Sequence, residues 1–191
     1  MAKPHPVGYK EMVMRFGETK LAGAFEIQSE LRTDERGYFA RIFCEEEFQK
    51  QGINFHIRQV NRSFNTVKGT LRGFHFQKPP KWEAKCMTAL LGAFFVAIVD
   101  LRPNSPTFKQ WISVELSAEK KNMLLVPVGC ANAFQTLEDN SEMLYFMSEL
   151  YSPEHQSGIN YKDPDIGVMW PLEPTVVSPK DVALPMLREL L

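Results

Sequence analysis

The sequence predicts an all-β fold, a sandwich or barrel built from short strands. Three observations carry this. Short apolar or alternating segments recur along most of the chain. Gly, Pro, Asn and Asp residues punctuate them, as turns between strands require. Helical signals are confined to one internal stretch and to the C-terminal end.

Phe25 to Leu31 is the first expected strand, ended by the polar turn Asp34-Glu35-Arg36-Gly37. Tyr38 to Phe43 resumes extended structure. Glu45 to Gln51 reads as a short helix, with acidic residues at its start and Gly52 just past its end. Strands are then expected at His56 to Asn61, Thr70 to Gln77, Lys85 to Leu91 and Ala93 to Leu101. Trp111 to Leu116, Met123 to Val126, Ala133 to Leu137 and Met143 to Ser148 continue the series. Ser178-Pro179-Lys180-Asp181 offers an N-cap, a proline at the first helical position and an acid at the third, a good helix start. Pro185 limits that helix to about one turn before a restart at Met186.

A chain of 191 residues buries a real core without disulfide or metal staples. No repeat or linker-like tract divides it, so residues 1–191 read as one domain, with its core in about 25–181. The formal net charge of −1 gives no basic footprint for nucleic acid. Cys44, Cys86 and Cys130 are odd in number and widely spaced, which suits reduced thiols in a cytoplasmic protein. Met1 to Phe16 mixes charges and prolines without an apolar run and does not read as a signal peptide. Ala89 to Val99, the longest apolar run, is too short to span a bilayer, so no membrane association is expected.

The most informative segment is Leu71-Arg72-Gly73-Phe74-His75-Phe76-Gln77. On an extended strand Gly73, His75 and Gln77 share one face while Phe74 and Phe76 anchor the other. A base that titrates near neutrality is thereby held on a stiff support, beside a Gly73 position open to an approaching ligand. Arg72 falls on the Phe74 parity and serves the same pocket only if a bulge or the strand end turns it in. Taken alone, a histidine between two phenylalanines is more often a buried sheet residue than a catalytic one.

Further motifs change that balance. Asp34-Glu35-Arg36-Gly37-Tyr38-Phe39, Gln59-Val60-Asn61-Arg62-Ser63, Leu71 to Gln77, Asp100-Leu101-Arg102, Ser105-Pro106-Thr107-Phe108, Gln110-Trp111, Leu144-Tyr145, Asp163-Pro164, Ile166-Gly167 and Trp170-Pro171 follow one another in order. In that order and spacing the chain resembles the dTDP-4-dehydrorhamnose 3,5-epimerase family, from about Phe25 to Asp181. The resemblance implies a cupin-type jelly roll and a homodimer in which N-terminal strands cross between subunits. It also implies that Arg36 and Phe39 reach the partner subunit's nucleotide site.

The implied substrate is a nucleoside-diphosphate 4-keto-6-deoxyhexose, linked to dTDP or CDP. Its ketone acidifies the hydrogens on C3 and C5, so epimerisation needs a base, a stabiliser for the enolate oxygen and an acid on the opposite face. His75 matches the family's base, and Asp181 the carboxylate that orients it. Without the family, Asp181 reads as an acid stabilising a helix start. Tyr145 matches the returning acid, although by itself it reads as a buried strand tyrosine. Lys85 matches a cation near the keto oxygen, where a snorkelling strand-end lysine is the bland alternative. Arg72 has the fork geometry for a diphosphate or sugar oxygen. Gln59 and Asn61 share a strand face and resemble positions that contact the nucleoside.

The chain also departs from the family pattern. Asn132 sits where a histidine is common and is retained as a substrate-binding candidate. Val96 replaces an aspartate, Leu150 and Phe146 replace a tyrosine and a lysine, Arg41 replaces an acid, and Arg62 replaces a histidine. These changes leave the nucleotide, and the choice between C3 alone and both carbons, open. Two rival classes remain. A metal-dependent cupin needs a histidine cluster, whereas His5, His56, His75 and His155 are scattered, with Gln77 after His75 and Asn132 at a third-ligand position. No metal or redox cofactor is therefore expected. A non-catalytic sugar-nucleotide binding module is the other rival, because a fold can host binding without chemistry.

Overall fold

A computed structural model describes residues 13–190. His5 and most of the N-terminal stretch read above lie outside the described residues. The described chain is almost entirely strand and loop. One sheet runs in the order β1 (Met14–Glu18), β2 (Phe25–Ser29), β10 (Asn122–Val126), β7 (Lys85–Leu91), β12 (Ser141–Met147) and β5 (Gln59–Asn65). The other runs β13 (Gln156–Gly158), β6 (Thr70–Gln77), β11 (Cys130–Thr136), β8 (Ala93–Asp100) and β9 (Trp111–Ser117). A two-residue strand, β14 (Val176–Val177), adds to β6 in parallel. The fold is the all-β, cupin-like jelly roll expected.

Side-chain alternation explains why the sheets close on each other. Met87 and Ala89 of β7, Leu124 and Val126 of β10 and Met143 of β12 pack against Phe94, Val96 and Ile98 of β8 and Phe134 of β11. Val96 is thus a core residue. The second sheet is buried on its other face too. There Phe74, Ala97, Val99, Ala131 and Ala133 lie beneath Ile159, Ile166, Trp170 and Leu187 from the C-terminal part of the chain. This double burial accounts for the nearly continuous apolar run of β8. The outer face of the first sheet is covered by α1 (Glu45–Lys50) and Phe55, with Phe48 and Phe55 packed near Cys86, Met123 and Phe146. Each of these fully buried phenylalanines contributes about 2–3 kcal/mol of transfer free energy.

Several boundaries differ from the sequence expectation. The strand expected from His56 begins at Gln59 instead and continues to Asn65. Its ladder partner β12 ends at Met147, opposite Gln59, so the residues upstream have little to pair with. Extended structure expected over Tyr38 to Phe43 is limited to β4 (Gly37–Phe39), which pairs only with β3 (Arg32–Asp34). β1 was not expected, because its apolar alternation is weak and β2 supplies its pairing. The C-terminal α2 (Pro179–Val182) begins as read, with the Ser178 hydroxyl accepting from the Asp181 N–H at 3.1 Å. A 3₁₀ turn at Leu187–Glu189 follows Met186.

Candidate active site

A cavity of about 340 Å³ opens between the two sheets at one end of the roll. His75, Phe76 and Gln77 of β6 line it from one sheet. Gln59, Asn61 and Arg62 of β5, Lys85 of β7, and Tyr145 and Met147 of β12 line it from the other. Glu83, Tyr151 and Gln156, from connecting segments and the edge of β13, complete the wall.

The face that β6 presents depends on a local irregularity. Asn132 pairs with His75 and Phe134 with Arg72, so the one intervening residue of β11, Ala133, is matched by two of β6, Gly73 and Phe74. This bulge puts Arg72 on the same face as His75, because Asn132 and Phe134 share a face of β11. The bulge turns Arg72 toward the side of His75, but its guanidinium is held by Asn65 and does not border the cavity. Gly73, however, is not an open approach for a ligand. A Cβ there would lie 2.6 Å from the Asn132 carbonyl oxygen and 2.8 Å from the Ala133 Cα, and its φ is +110°. The glycine is needed for strand-to-strand contact, not to admit a ligand.

Beside the bulge, β14 pairs with Thr70 and Leu71 while β13 pairs with His75 to Gln77, leaving a notch in the sheet edge. The first turn of α2 fills it. Asp181 Oδ2 accepts the Gly73 N–H at 3.3 Å, and Oδ1 lies 2.7 Å from His75 Nε2. Asp181 is only 4 % exposed. Burial pushes its carboxyl up, but the His75 hydrogen bond and charge, with the Gly73 and Ser178 contacts, hold it below the usual aspartate range. A carboxylate so held fixes the imidazole's tautomer and its direction. Asp181 therefore does both things read from its position: it belongs to a capped first turn and it pairs with His75.

Across the cavity, Lys85 Nζ donates to Asn132 Oδ1 at 2.9 Å and pairs with Glu83 Oε1 at 2.9 Å. Burial and the nearby Glu83 charge push the Tyr145 phenol up, against Arg72 and Asn61, so it stays protonated near neutral pH. Gln59 donates to Asn61 Oδ1 at 3.0 Å and accepts the Tyr151 N–H at 3.0 Å. Arg72 binds Asn65 Oδ1 at 2.8 Å.

His75, Lys85, Tyr145, Gln59 and Asn61 thus line one cavity, His75 from one sheet and the others from the facing one, with Asp181 directly behind the histidine. Asn132 is buried behind Lys85 and holds its ammonium instead of lining the cavity. Arg36 and Phe39 lie on the separate β3–β4 hairpin, where Arg36 pairs with Asp34. Arg41 pairs with Glu47 of α1, and the Arg62 guanidinium, although Arg62 borders the cavity, forks onto Glu142 at 2.8 and 2.7 Å. Leu150 is exposed, and its neighbour Tyr151 faces the cavity. Sequence reasoning missed Tyr151, Gln156 and Glu83. None of the three had a readable signal, Glu83 included, because it lies in the loop before β7, where strand parity does not fix a face. Among the described residues no group of three or more His, Cys, Asp or Glu side chains is arranged to hold a metal.

Comparison with known proteins shows the family. A sequence model of the dTDP-4-dehydrorhamnose 3,5-epimerase family matches residues 18–189. The dTDP-4-dehydrorhamnose 3,5-epimerase of Methanothermobacter thermautotrophicus is 43 % identical over 178 residues, covering 92 % of this chain and 95 % of its own. The crystal structure of the Bacillus anthracis enzyme of that name, with TDP and PPi bound, superposes with a TM-score of 0.89 at 38 % identity, covering 92 % of this chain and all of the other. The epimerase from Legionella pneumophila, in complex with dTDP-4-keto-L-rhamnose, gives a TM-score of 0.87 at 35 % identity over 92 % of this chain and 94 % of its own. The chain belongs to the dTDP-4-dehydrorhamnose 3,5-epimerase family.

Proposed function

We propose that this epimerase acts on a dTDP-linked 4-keto-6-deoxyhexose and inverts C3 and C5 by proton transfer, with His75 as base and Tyr145 as the returning acid. The observation that carries the assignment is the His75–Asp181 pair at 2.7 Å, opening onto a cavity whose opposite wall holds Lys85 and Tyr145. The C4 ketone makes the hydrogen on each neighbouring carbon acidic. Neutral His75 takes that proton, and the carbon's electron pair moves toward the ketone to give an enolate. The imidazolium so formed is stabilised by Asp181. Lys85 donates to the enolate oxygen, where charge develops. Tyr145, on the other sheet, returns a proton to the opposite face of the carbon, and inversion results. The two sheets therefore supply opposite faces of the sugar with base and acid. No step needs an electron acceptor.

The dTDP assignment is supported by relatives whose structures hold TDP or a dTDP-sugar. We further propose that the chain works as a homodimer. The test of the reaction is solvent deuterium exchange into dTDP-4-keto-6-deoxyglucose. Label at both C3 and C5 is expected. Label at C3 alone would reduce the enzyme to a 3-epimerase, and binding without label would leave a sugar-nucleotide binder. Thermal shift with dTDP against CDP checks the nucleotide, since the preferred ligand stabilises the native state more.

A further inference from the structure

One buried ionisable group takes no part in that proton transfer. Glu83 lies on the segment entering β7 and is 7 % exposed. Its Oε1 is occupied by Lys85. Its Oε2 is the one fully buried side-chain nitrogen or oxygen among the described residues that has no hydrogen-bond partner. The residue stands in the wall of the cavity that His75 and Tyr145 line. A carboxylate oxygen accepts more than one hydrogen bond, and leaving a buried one bare is costly. A group entering the cavity at this point must therefore bring a donor.

The neighbouring ammonium narrows the choice. Lys85 has three N–H bonds; one goes to Glu83 and one to Asn132, leaving one for the cavity. The wall thus offers a donor and an acceptor side by side. A ketone with a hydroxyl on the adjacent carbon presents the matching acceptor and donor. A phosphate would meet the Glu83 charge here, so the diphosphate must lie toward another part of the site.

We propose that Glu83 is a sugar-binding residue whose Oε2 accepts the hydroxyl at C3, while Lys85, steadied by Glu83 Oε1 and Asn132, donates to the C4 ketone. This rests on the reading of the cavity as the sugar site. It makes the pair Glu83–Lys85 a recognition element for the α-hydroxyketone unit, distinct from the base and the returning acid. The proximity of Glu83 to Tyr145 agrees with this, since the Glu83 charge is among the influences that raise the phenol.

The test compares equilibrium affinities for dTDP-4-keto-6-deoxyglucose, its 3-deoxy counterpart and dTDP alone. The native protein is expected to bind the hydroxyl-bearing sugar about ten- to a hundredfold more tightly than the 3-deoxy one, as a hydrogen bond to a charged group implies. Glu83→Ala should lose that preference and bind dTDP as before. Should Glu83→Ala fail to fold, Glu83→Gln keeps the shape and is expected to reduce the preference several-fold. A preference unchanged in either folded variant overturns the proposal. Deuterium exchange run in parallel keeps the two readings apart: a native protein that shows the hydroxyl preference without exchange would sink the epimerase mechanism and leave the Glu83 assignment standing.

Discussion

The two sheets carry different parts of the proton transfer, and single substitutions separate them. His75→Ala removes the base from β6 and leaves the packing largely untouched, because its ring is 30 % exposed on the cavity side. Exchange at C3 and C5 should both fall by about 10²–10⁴-fold, with the fold retained and the melting temperature lowered, because the buried Asp181 carboxylate loses a partner. Tyr145→Phe removes only the returning proton. Product formation should then slow by more than the wash-in of solvent deuterium, measured by NMR on the same samples. Equal loss of both signals would contradict the division between base and acid. At this scale much of the site was legible. His75, Lys85, Tyr145 and Asp181 were named from the family resemblance, and the helix start that positions Asp181 was read from Ser178 and Pro179. Glu83 was not, because it follows Pro79-Pro80-Lys81-Trp82 in a segment that reads as loop. Whether a loop carboxylate turns in or out depends on contacts that only the folded chain supplies.

At the scale of the strand, β6 shows what sequence parity can and cannot give. The faces of His75 and Gln77 followed from alternation, but the side to which Arg72 turns depended on a bulge visible only in the register with β11. Gly73 makes that bulge. Its own N–H donates to Asp181, so the same glycine links strand geometry to the orientation of the base. Gly73→Ala would drive a methyl group into the Asn132 carbonyl and the Ala133 backbone at a left-handed φ. A loss of about 2–4 kcal/mol is expected, which lowers the melting temperature by roughly 5–15 °C for a chain of this size. Gly37→Ala is the control. It also has a positive φ, +123°, but nothing lies within 4 Å of the added carbon, so only the backbone cost of about 1–2 kcal/mol remains. Equal melting temperatures for the two variants would show that the close approach at Gly73 is not what the strand depends on.

For the whole molecule, the distribution of apolar surface favours a second copy of the chain. β5 is the outer strand of the first sheet, and Val60 and Phe64, each 49 % exposed, stand on its outward face. An edge strand with exposed apolar side chains is a surface that proteins normally cover or charge. Among the described residues the β3–β4 hairpin pairs with no other strand, and it carries Phe39 at 67 % exposure. Neither Arg36 nor Phe39 borders the cavity that holds His75. Both facts fit a dimer in which each hairpin completes the partner's nucleotide site. The double variant Val60→Glu, Phe64→Glu places two carboxylates on that face. Light scattering on the eluting peak should move from a dimer toward the 21.9 kDa monomer, and dTDP affinity should fall with it. A native protein that elutes as a monomer, or a monomeric variant that binds dTDP as tightly as the native chain, would show that one chain holds its nucleotide unaided. In that case Arg36 and Phe39 would have no place in the site, and the exposed face of β5 would need another explanation.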